Sequence, residues 1–283
     1  MRSPIIWFGG KGKMTAKLLP LFPQHYTYVE AFGGGASMLF AKHPAPVEVY
    51  NDLDGSLVAF FRVLRDPATF AQFQRFVSMT PYARAEWEEC RDTWEDTADP
   101  IERAARWYVV ACMSFSGAFG HSWSSVVTWS GRGMAATASK WLSAIAGLPR
   151  AHARLMRVQI EQSDWRVILE RYDTPETFFY LDPPYVHSTR KSGDYAHEME
   201  DADHAELVAQ LLELRGLVML SGYASAVYAP LAAAGWQRRD WHTACHAAGR
   251  TRGTGLQGAG VVMDQQARVE TVWMNYEVQR RLF

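Results

Sequence analysis

A strand–turn–helix pattern that occurs twice in succession constrains the fold of this chain most strongly. From Thr27, "TYVEAF" is typical of a short strand, and the "GGGASMLFAK" that follows joins a glycine turn to helix-forming residues. From Pro46, "PVEVYNDLDGSLVAFFRVLRD" repeats this order, with a strand at Val47 to Tyr50, a polar turn, and apolar residues at helical spacing through Leu64. Two tandem βα units predict a parallel, Rossmann-like α/β sheet.

The alternation stops in the middle of the chain. From Pro67 to about Arg157 the sequence shows amphipathic helical stretches and loops, in which arginines are interleaved with tryptophans. The strand pattern returns at "MRVQIEQSDW" and continues at "TFFYLDPPY", "GLVMLSGY" and "VETVWMNY". We therefore expect a sheet domain formed by residues 1–66 and 158–283, with a mainly helical insertion at residues 67–157.

The composition limits the class of protein and its partners. With 283 residues, 48% of them hydrophobic and 21% charged, the chain can bury a large core. It contains no apolar run near the roughly 20 residues of a membrane span, and its first residues lack the apolar core of a signal peptide. We expect a cytoplasmic protein without membrane partners. Because the formal net charge is only −1, nucleic-acid binding would require a local basic patch.

The cysteines and histidines indicate neither a disulfide framework nor a metal site. Cys90, Cys112 and Cys245 are scattered and lie outside any C-x-x-C spacing, so we interpret them as reduced structural thiols. In "HEMEDADH", His197, Glu198 and His204 match no zinc pattern, and a solvated loop leading into a helix is the better interpretation. No metal cofactor is expected.

The stretch "FYLDPPYVHS" predicts a site at the edge of the sheet. Residues 178–181 are typical of a buried strand, and the two prolines end it because neither can donate to a sheet ladder. Asp182 therefore follows the carboxyl end of a strand, where ligands bind in open α/β sheets. Pro183 and Pro184 would fix the backbone carbonyls there, and Tyr185 would add an exposed aromatic ring.

Two further polar turns predict a cofactor near this edge. Gly33, Gly34 and Gly35 would let a ligand approach the backbone, although tight packing explains such glycines equally well. Neither G-x-G-x-x-G nor the P-loop pattern is present, so the ligand need not be a phosphate. Asp52 follows the second strand at the position of an acid that binds ribose hydroxyls in Rossmann-type sites, which would imply a nucleoside-containing cofactor. Capping of the next helix by Asp52 or Asp54 is the alternative.

The order of these motifs resembles that of a known enzyme family. "WFGGK", at Trp7 to Lys11, precedes "VEAFGGGAS", "NDLD", the long insertion and "YLDPPY", and it is followed finally by "SGYASAVY" and "RVETVWMN". This ordered set resembles the Dam-type (D12 class) DNA adenine-N6 methyltransferases, phage-borne members in particular, over residues 4–66 and roughly 155–280. The resemblance implies a Rossmann-like, S-adenosylmethionine-dependent methyltransferase with S-adenosylhomocysteine as its product. It also implies that the inserted helical domain recognises double-stranded DNA.

The resemblance indicates which residues bind the cofactor. Lys11 would neutralise the cofactor's carboxylate, although a lysine in a turn is by itself more often solvated. Asp164 and Trp165 match an acid–aromatic pair near the cofactor's adenine, where Trp165 is either a stacking wall or an ordinary core tryptophan. The expected cofactor-binding residues are Trp7, Lys11, Glu30, Phe32, Gly33, Gly35, Asp52, Asp164, Trp165 and Asp182.

Methyl transfer to adenine would explain the D-P-P-Y tetrapeptide. The lone pair of the exocyclic amine is delocalised into the ring, so the amine is a poor nucleophile unless hydrogen bonds localise that pair. The Asp182 carboxylate and the Pro183 carbonyl would accept the two amine hydrogens, and Pro184 would keep this acceptor pair rigid. The target base must leave the duplex to be reached, and Tyr185 would offer a face on which it stacks. These four residues are the predicted catalytic residues.

The insertion departs most from the family pattern. "GHSWSSVVTWSGRGMAATASKW" occupies the region of the arginine-centred hairpin by which GATC-specific Dam enzymes read their site, but that hairpin is not recognisable in it. Arg132 is the nearest candidate for reading bases, and Arg250 and Arg252 are candidates for phosphate contacts. Ala31 and Ala36 replace a proline and a glycine that are common in the family, and neither should abolish cofactor binding.

Alternatives from other classes stay open on the sequence alone. N4-cytosine methylation poses the same electronic problem as adenine methylation, and a catalytically silent DNA-binding protein could keep the same fold. A nicotinamide-dependent dehydrogenase shares the fold but lacks the glycine fingerprint. Cytosine C5 chemistry is rejected because no cysteine lies in the site motifs. We expect a monomer, or a dimer on DNA, in a bacterial cell or phage-infected host. The recognition sequence and any restriction partner stay open.

Overall fold

The computed structural model describes residues 1–7, 9–186, 197–244 and 267–278. The helices are α1 (Thr15–Leu18), α2 (Ser37–Ala41), α3 (Gly55–Arg65), α4 (Pro67–Met79), α5 (Arg84–Thr93), α6 (Pro100–Met113), α7 (Ala136–Leu155), α8 (Trp165–Tyr172), α9 (Asp201–Glu213) and α10 (Ala229–Ala233). The strands are β1 (Thr27–Glu30), β2 (Val47–Asn51), β3 (Ser130–Gly131), β4 (Met134–Ala135), β5 (Gln159–Glu161), β6 (Thr177–Leu181), β7 (Leu217–Tyr223), β8 (Gln237–Ala244) and β9 (Ala267–Met274). Cys245, Arg250 and Arg252 lie outside the described residues.

In the described part of the chain, the main sheet has seven strands in the order β5-β2-β1-β6-β7-β9-β8. The five strands from β5 to β7 run parallel, and β9 and β8 are antiparallel additions to them. The parallel register aligns Glu30 of β1 with Tyr50 of β2 and Tyr180 of β6, so these strands end at one edge. This topology confirms the predicted Rossmann-like α/β fold.

The centre of the sheet is buried on both faces. Every residue of β6 is buried, which accounts for its continuous apolar run rather than an alternating one. Val29 and Phe179 of the sheet share one hydrophobic cluster with Ile168 of α8 and Leu207 of α9. Each such side chain contributes roughly 1.5–3 kcal/mol through burial, so this cluster gives the strand ends a rigid base.

Strand β8 is the one strand of the main sheet that sequence reasoning misses. Its sequence "QRRDWHTA" is largely polar, and Arg238, Arg239 and Asp240 are exposed. Within the described residues, β8 lies at the sheet's edge and pairs only with β9. Because an exposed edge strand buries little apolar surface, it carries no hydrophobic period that a sequence search could detect.

The chain divides into two compact units, which are described separately. The helical unit consists of Met1–Lys11 and Ala59–Arg157 within the described residues. The sheet unit consists of Gly12–Val58, Val158–Ala244 and the described residues 267–278. The predicted domain boundaries at residues 66 and 157 stay a proposal.

The helical unit has an aromatic core. The Phe60 and Tyr108 rings stack at 5.3 Å between centroids, and Trp107 lies 5.2 Å from Phe60. Trp87 and Trp141 are 2% and 3% exposed, and the indole of Trp87 donates to a serine hydroxyl while that of Trp141 donates to a carbonyl. These tryptophans stabilise the fold and are not surface contacts for a ligand. No helix in the described ranges is long and apolar enough to cross a membrane.

A small hairpin interrupts the helices of this unit. β3 and β4 pair antiparallel, and the two residues between them, Arg132 and Gly133, have φ angles of 54° and 74°. Two central residues with positive φ are typical of a type I′ turn. The sequence does not predict this hairpin, because arginine stands where asparagine or glycine usually adopts this conformation.

Candidate active site

The D-P-P-Y segment begins at the carboxyl edge of the sheet's centre. β6 ends at Leu181, between β1 and β7, and Asp182 follows directly. Pro183 is buried and Pro184 is half-buried, so the segment is held within the sheet unit. The structure therefore places the Asp182 side chain at a rigid strand end.

Glu30, the last residue of β1, is a buried carboxyl group within electrostatic range of Asp182. Its Oε1 accepts hydrogen bonds from the Tyr28 hydroxyl at 2.6 Å and from the Leu39 backbone N–H at 2.7 Å. Its Oε2 is buried and has no hydrogen-bond partner among the described residues. Burial raises the pKa of Glu30 to about 7, and the charge of Asp182 also raises it. One buried carboxyl oxygen at this edge can therefore still accept a donor.

The glycine turn after β1 is held by contacts with β2. A Cβ on Gly33 would lie 2.2 Å from the Tyr50 ring, so no side chain fits at that position. The N–H of Gly34 donates to Asp52 Oδ2 at 2.7 Å, and its carbonyl accepts from the Tyr50 hydroxyl at 2.9 Å. Tight packing therefore explains Gly33, the alternative that the sequence left open.

The remaining residues of this turn are Phe32, Gly35 and Ala36. Gly35 and Ala36 are buried, and Ala36 has a φ of 54°. This left-handed conformation costs a residue with a Cβ of order 1 kcal/mol, which accounts physically for the glycine common there in the family. Phe32 is partly buried and its ring centroid lies 6.2 Å from that of Trp165.

Asp52 and Asp54 divide the two roles that the sequence left open. Asp54 caps α3, because its Oδ1 accepts from the N–H groups of Ser56 at 2.9 Å and Leu57 at 3.2 Å. Asp52 accepts from Gly34 through Oδ2 and from the Asp54 N–H at 2.9 Å through Oδ1. Burial raises the pKa of Asp52. Asp52 thus links two turns of the edge, and a carboxylate has lone pairs left for further donors.

Sequence reasoning misses Asn51, the last residue of β2. Its amide nitrogen donates to the carbonyls of Ala31 at 2.8 Å and Ser163 at 2.9 Å, and its Oδ1 accepts from the Ser163 N–H at 2.9 Å. The side chain is 1% exposed. Asn51 therefore ties the turns after β1 and β5 to the end of β2. A polar residue that ends an apolar strand directly before Asp52 was the signal that could have found it.

Tyr185 is buried, so the prediction of an exposed ring was wrong. It is 6% exposed, and its hydroxyl donates to Glu270 Oε2 at 2.8 Å and lies 3.5 Å from Ser221 Oγ. Its ring packs edge-on against Tyr223, with 4.4 Å between centroids. The physical reason is that β9 supplies an acceptor for the phenol, which allows the ring to be buried.

Asp164 and Trp165 are both engaged within the sheet unit. Asp164 caps α8, since its Oδ1 accepts from the Arg166 N–H at 2.8 Å, and it also pairs with the Arg166 guanidinium. Trp165 is 3% exposed in the hydrophobic cluster, and the guanidinium carbon of Arg166 lies 4.3 Å from its ring centroid. These contacts favour the interpretation of Trp165 as a core residue, and its role as a stacking wall stays a prediction.

Trp7 and Lys11 belong to the helical unit. The Trp7 carbonyl accepts from the Gly10 N–H at 3.0 Å, and its partly buried ring lies 5.7 Å from that of Trp107. Lys11 is 7% exposed, and its Nζ donates to the Gly9 carbonyl at 3.3 Å. The alternative of a solvated lysine is therefore wrong, because the turn buries this cation.

Arg132, the candidate base reader, is tied to a helix of its own unit. Its guanidinium donates to the hydroxyls of Ser139 at 2.9 Å and Ser143 at 2.8 Å on α7, and also to the Ser139 carbonyl. The guanidinium thus braces the hairpin turn, and its proposed contact with a base is untested. Arg250 and Arg252 lie outside the described residues, so their proposed phosphate contacts stay a prediction.

The thiols and histidines have structural environments. Burial raises the pKa of Cys90 to about 11 and that of Cys112 to about 12, which makes either thiol a poor nucleophile at neutral pH. His204 is fully buried on α9, with Nδ1 3.0 Å from the Tyr228 hydroxyl, so the prediction of a solvated helix start is wrong for this residue. Among the described residues, no group of three or more His, Cys, Asp or Glu could hold a metal ion.

A parallel sheet with a glycine turn and acids at its carboxyl edge defines an α/β enzyme of the Rossmann-like class. The family model of the D12 class N6 adenine-specific DNA methyltransferases matches residues 7–228, which is most of the chain. The chain belongs to this family and is an adenine-specific DNA methyltransferase. This confirms the predicted family and favours adenine over cytosine as the target. A comparison with curated proteins gave no match.

Proposed function

We propose that this enzyme transfers a methyl group from S-adenosylmethionine to the N6 amine of an adenine that has been flipped out of duplex DNA. The observation that carries the proposal is the position of Asp182 directly after β6, at the edge where Glu30 and Asp52 also lie. Asp182 and the Pro183 carbonyl act as the two acceptors for the amine hydrogens.

The residues of this edge suit S-adenosylmethionine by their chemistry. The acids at the ends of β1, β2 and β6 would repel the phosphates of a dinucleotide but favour a cation that carries ribose hydroxyls. Glu30 Oε2 is a buried acceptor without a partner among the described residues. Asp52 is half-buried, and each of its carboxylate oxygens has a lone pair beyond the one that accepts from Gly34 or Asp54. When bound, S-adenosylmethionine supplies the methyl group as part of a positive sulfonium. We assign the remaining expected cofactor residues of the sheet unit to this site: Phe32, Gly33, Gly35, Asp164 and Trp165. The family resemblance implies that Trp7 and Lys11 also bind the cofactor.

Activation of the amine depends on the rigidity of the acceptor pair. The carboxylate of Asp182 and the carbonyl of Pro183 draw the two hydrogens into fixed directions and localise the nitrogen lone pair toward the methyl group. Pro184 and the burial of Tyr185 limit the movement of this segment. The family resemblance implies that the flipped base packs against the D-P-P-Y tyrosine, of which only 6% is exposed in the free protein.

We assign DNA recognition to the inserted residues 67–157. The hairpin region of the helical unit carries exposed apolar residues, with Val127 74% and Trp129 58% exposed, and Lys140 Nζ lies 5.2 Å from the Trp129 ring centroid. Cationic and aromatic groups that solvent can reach suit contacts with phosphates and bases. The enzyme would act as a monomer, or as a dimer on DNA, in the cytoplasm of a bacterial cell or phage-infected host.

The experiment that tests the proposal incubates the purified protein with S-adenosylmethionine and unmethylated genomic DNA, and then maps modified bases by single-molecule sequencing. We expect N6-methyladenine, and its sequence context would give the recognition sequence. N4-methylcytosine would contradict the adenine target. Cofactor binding without any DNA methylation would favour a silent DNA-binding protein.

A further inference from the structure

The hydroxyl of Tyr185 is held by an acid from the end of the chain, and we propose that Glu270 is a positioning residue for the D-P-P-Y segment in methyl transfer. Tyr185 donates to Glu270 Oε2 at 2.8 Å across 85 positions of sequence. Glu270 lies beyond residue 228, where the family match ends. The inference rests on the proposed function, because it concerns the same reaction.

The register of the antiparallel strands explains how Glu270 reaches Tyr185. Glu270 of β9 pairs directly with Tyr223 of β7, and directly paired residues point to the same face of a sheet. Ser221 lies two residues before Tyr223 on that face. Tyr185 contacts all three, with 2.8 Å to the Glu270 carboxylate, 3.5 Å to the Ser221 hydroxyl and 4.4 Å between tyrosine rings.

The hydrogen bond between Tyr185 and Glu270 has a well-defined direction. The phenol is 6% exposed, and burial together with the charges of Asp182 and Glu270 raises the pKa of Tyr185 well above its usual value. The hydroxyl of Tyr185 therefore stays protonated and donates. An ionised carboxylate has no hydrogen to donate, so that of Glu270 is the acceptor. A bond to a charged acceptor is stronger than one between neutral groups, and loss of the acceptor would leave a buried donor without this partner.

This bond gives the D-P-P-Y segment a second anchor. The first anchor is Leu181, the last residue of β6, which pairs with Leu220 of β7. The second anchor is the Tyr185 side chain, which contacts Ser221 of β7 and Glu270 of β9. The acceptors of Asp182 and Pro183 lie between the two anchors. Release of the second anchor would let the Pro183 carbonyl and the tyrosine ring move, and small displacements of such groups reduce rates strongly. Glu270 acts through Tyr185 and touches neither base nor cofactor.

The test uses the full-length enzyme and a DNA duplex that contains the sequence mapped for the wild type. The variants are Glu270→Ala, Glu270→Gln, Tyr185→Phe and the double variant Tyr185→Phe/Glu270→Ala. We expect Glu270→Ala and Tyr185→Phe each to lower kcat about 10-fold to 100-fold, while KM for S-adenosylmethionine changes less than about threefold. The double variant should be no slower than the slower single variant, because both changes remove the same bond.

Two variants separate positioning from a structural role. Glu270→Gln keeps an amide oxygen that accepts from the phenol, so we expect its kcat to stay within about fivefold of the wild type. Asp240→Ala is the matched control, because the exposed Asp240 on β8 accepts at 2.8 Å from Thr271, the residue that follows Glu270 on β9. This control should keep wild-type kcat. If Glu270→Ala does not fold, Tyr185→Phe and Glu270→Gln still decide the question, because each changes only polar atoms.

The outcomes distinguish this inference from the proposed function. If the wild type methylates adenine but Tyr185→Phe keeps full kcat, or the two losses multiply in the double variant, Glu270 is not a positioning residue. If Glu270→Gln is as slow as Glu270→Ala, the acceptor oxygen is not what matters and the inference also fails. If the wild type methylates no adenine, the proposed function itself is wrong.

Discussion

The sheet unit buries the polar groups of its site, whereas the helical unit exposes charged and aromatic side chains around its β3–β4 hairpin. Glu30 and Asn51 are 2% and 1% exposed and are held by hydrogen bonds at strand ends. In the helical unit, Trp129 is 58% exposed and the guanidinium of Arg132 is also exposed. Groups that position reacting atoms must be held in place by their neighbours, and groups that contact a large partner must be accessible at the surface. We therefore expect changes in the sheet unit to alter rate and stability, and changes in the hairpin to alter the choice of DNA sequence.

The largest effect is expected for Asp182→Ala. Loss of an acceptor for the amine hydrogens should lower the single-turnover rate at saturating S-adenosylmethionine by two to three orders of magnitude, by analogy with removal of a transition-state hydrogen bond. The loss should be equal for every DNA sequence that the enzyme methylates, because the amine is the same in each.

The control for this variant is Asp201→Ala, which removes an exposed carboxylate at the start of α9. It should leave the rate unchanged. A loss of less than about tenfold for Asp182→Ala, measured on a protein with a wild-type melting temperature, would contradict the assigned role of Asp182.

Much of the sheet unit could be predicted from the sequence, because its elements carry local signals. Strands β1, β2, β6, β7 and β9 have apolar runs, and Asp52 and Asp182 follow strands directly. What could not be predicted depends on pairing between distant segments. The burial of Tyr185 requires Glu270 on β9, and the brace of Asn51 requires Ser163.

In the helical unit, the sequence predicts the helices but not the hairpin between them. Its helical character follows from amphipathic spacing, and Asp66 and Asp99 cap α4 and α6 as expected for acids that precede proline at a helix start. The β3–β4 hairpin has no such signal, because Arg132 adopts a positive φ that local sequence rules assign to other residues. The candidate base reader could therefore be named from the sequence, but its guanidinium contacts with α7 could not.

A second effect, on stability, is expected for Glu30→Gln. The pKa of Glu30 is raised from 4.5 to about 7, so between these pH values the folded protein binds a proton that the unfolded chain has lost. Stability therefore falls as pH rises through this window and is constant above it. The shift corresponds to about 3–4 kcal/mol at most, at about 1.4 kcal/mol per pKa unit. The glutamine variant should lose this pH dependence and keep the acceptor for Leu39.

The measurement compares the melting temperatures of wild type and Glu30→Gln at pH 5 and pH 8. The advantage of the variant should be larger at pH 8. Glu277→Gln is the matched control, because Glu277 is exposed and should change neither value. Equal pH dependence in wild type and Glu30→Gln would mean that the buried carboxyl is ionised at little cost, and the contrast between the buried edge and the exposed hairpin would weaken.

The smallest effect is expected in the hairpin, for Arg132→Ala. If its guanidinium leaves α7 to read a base, the variant should lower the preference for the mapped sequence, measured as the ratio of kcat/KM values on matched and mismatched duplexes, by about tenfold. Arg150→Ala, which removes an exposed cation from α7, should leave that ratio unchanged.

A double variant, Ser139→Ala/Ser143→Ala, separates base reading from bracing of the turn. It removes the two hydroxyls that accept from Arg132 in the free protein, at 2.9 Å and 2.8 Å, but keeps the arginine itself. An arginine that reads bases should keep the sequence preference within about twofold in this background, because its partner on DNA is intact. If the double variant loses the preference as strongly as Arg132→Ala does, the guanidinium acts by holding the turn. The reader would then be another group, and the exposed Trp129 and Val127 would be the next residues to change.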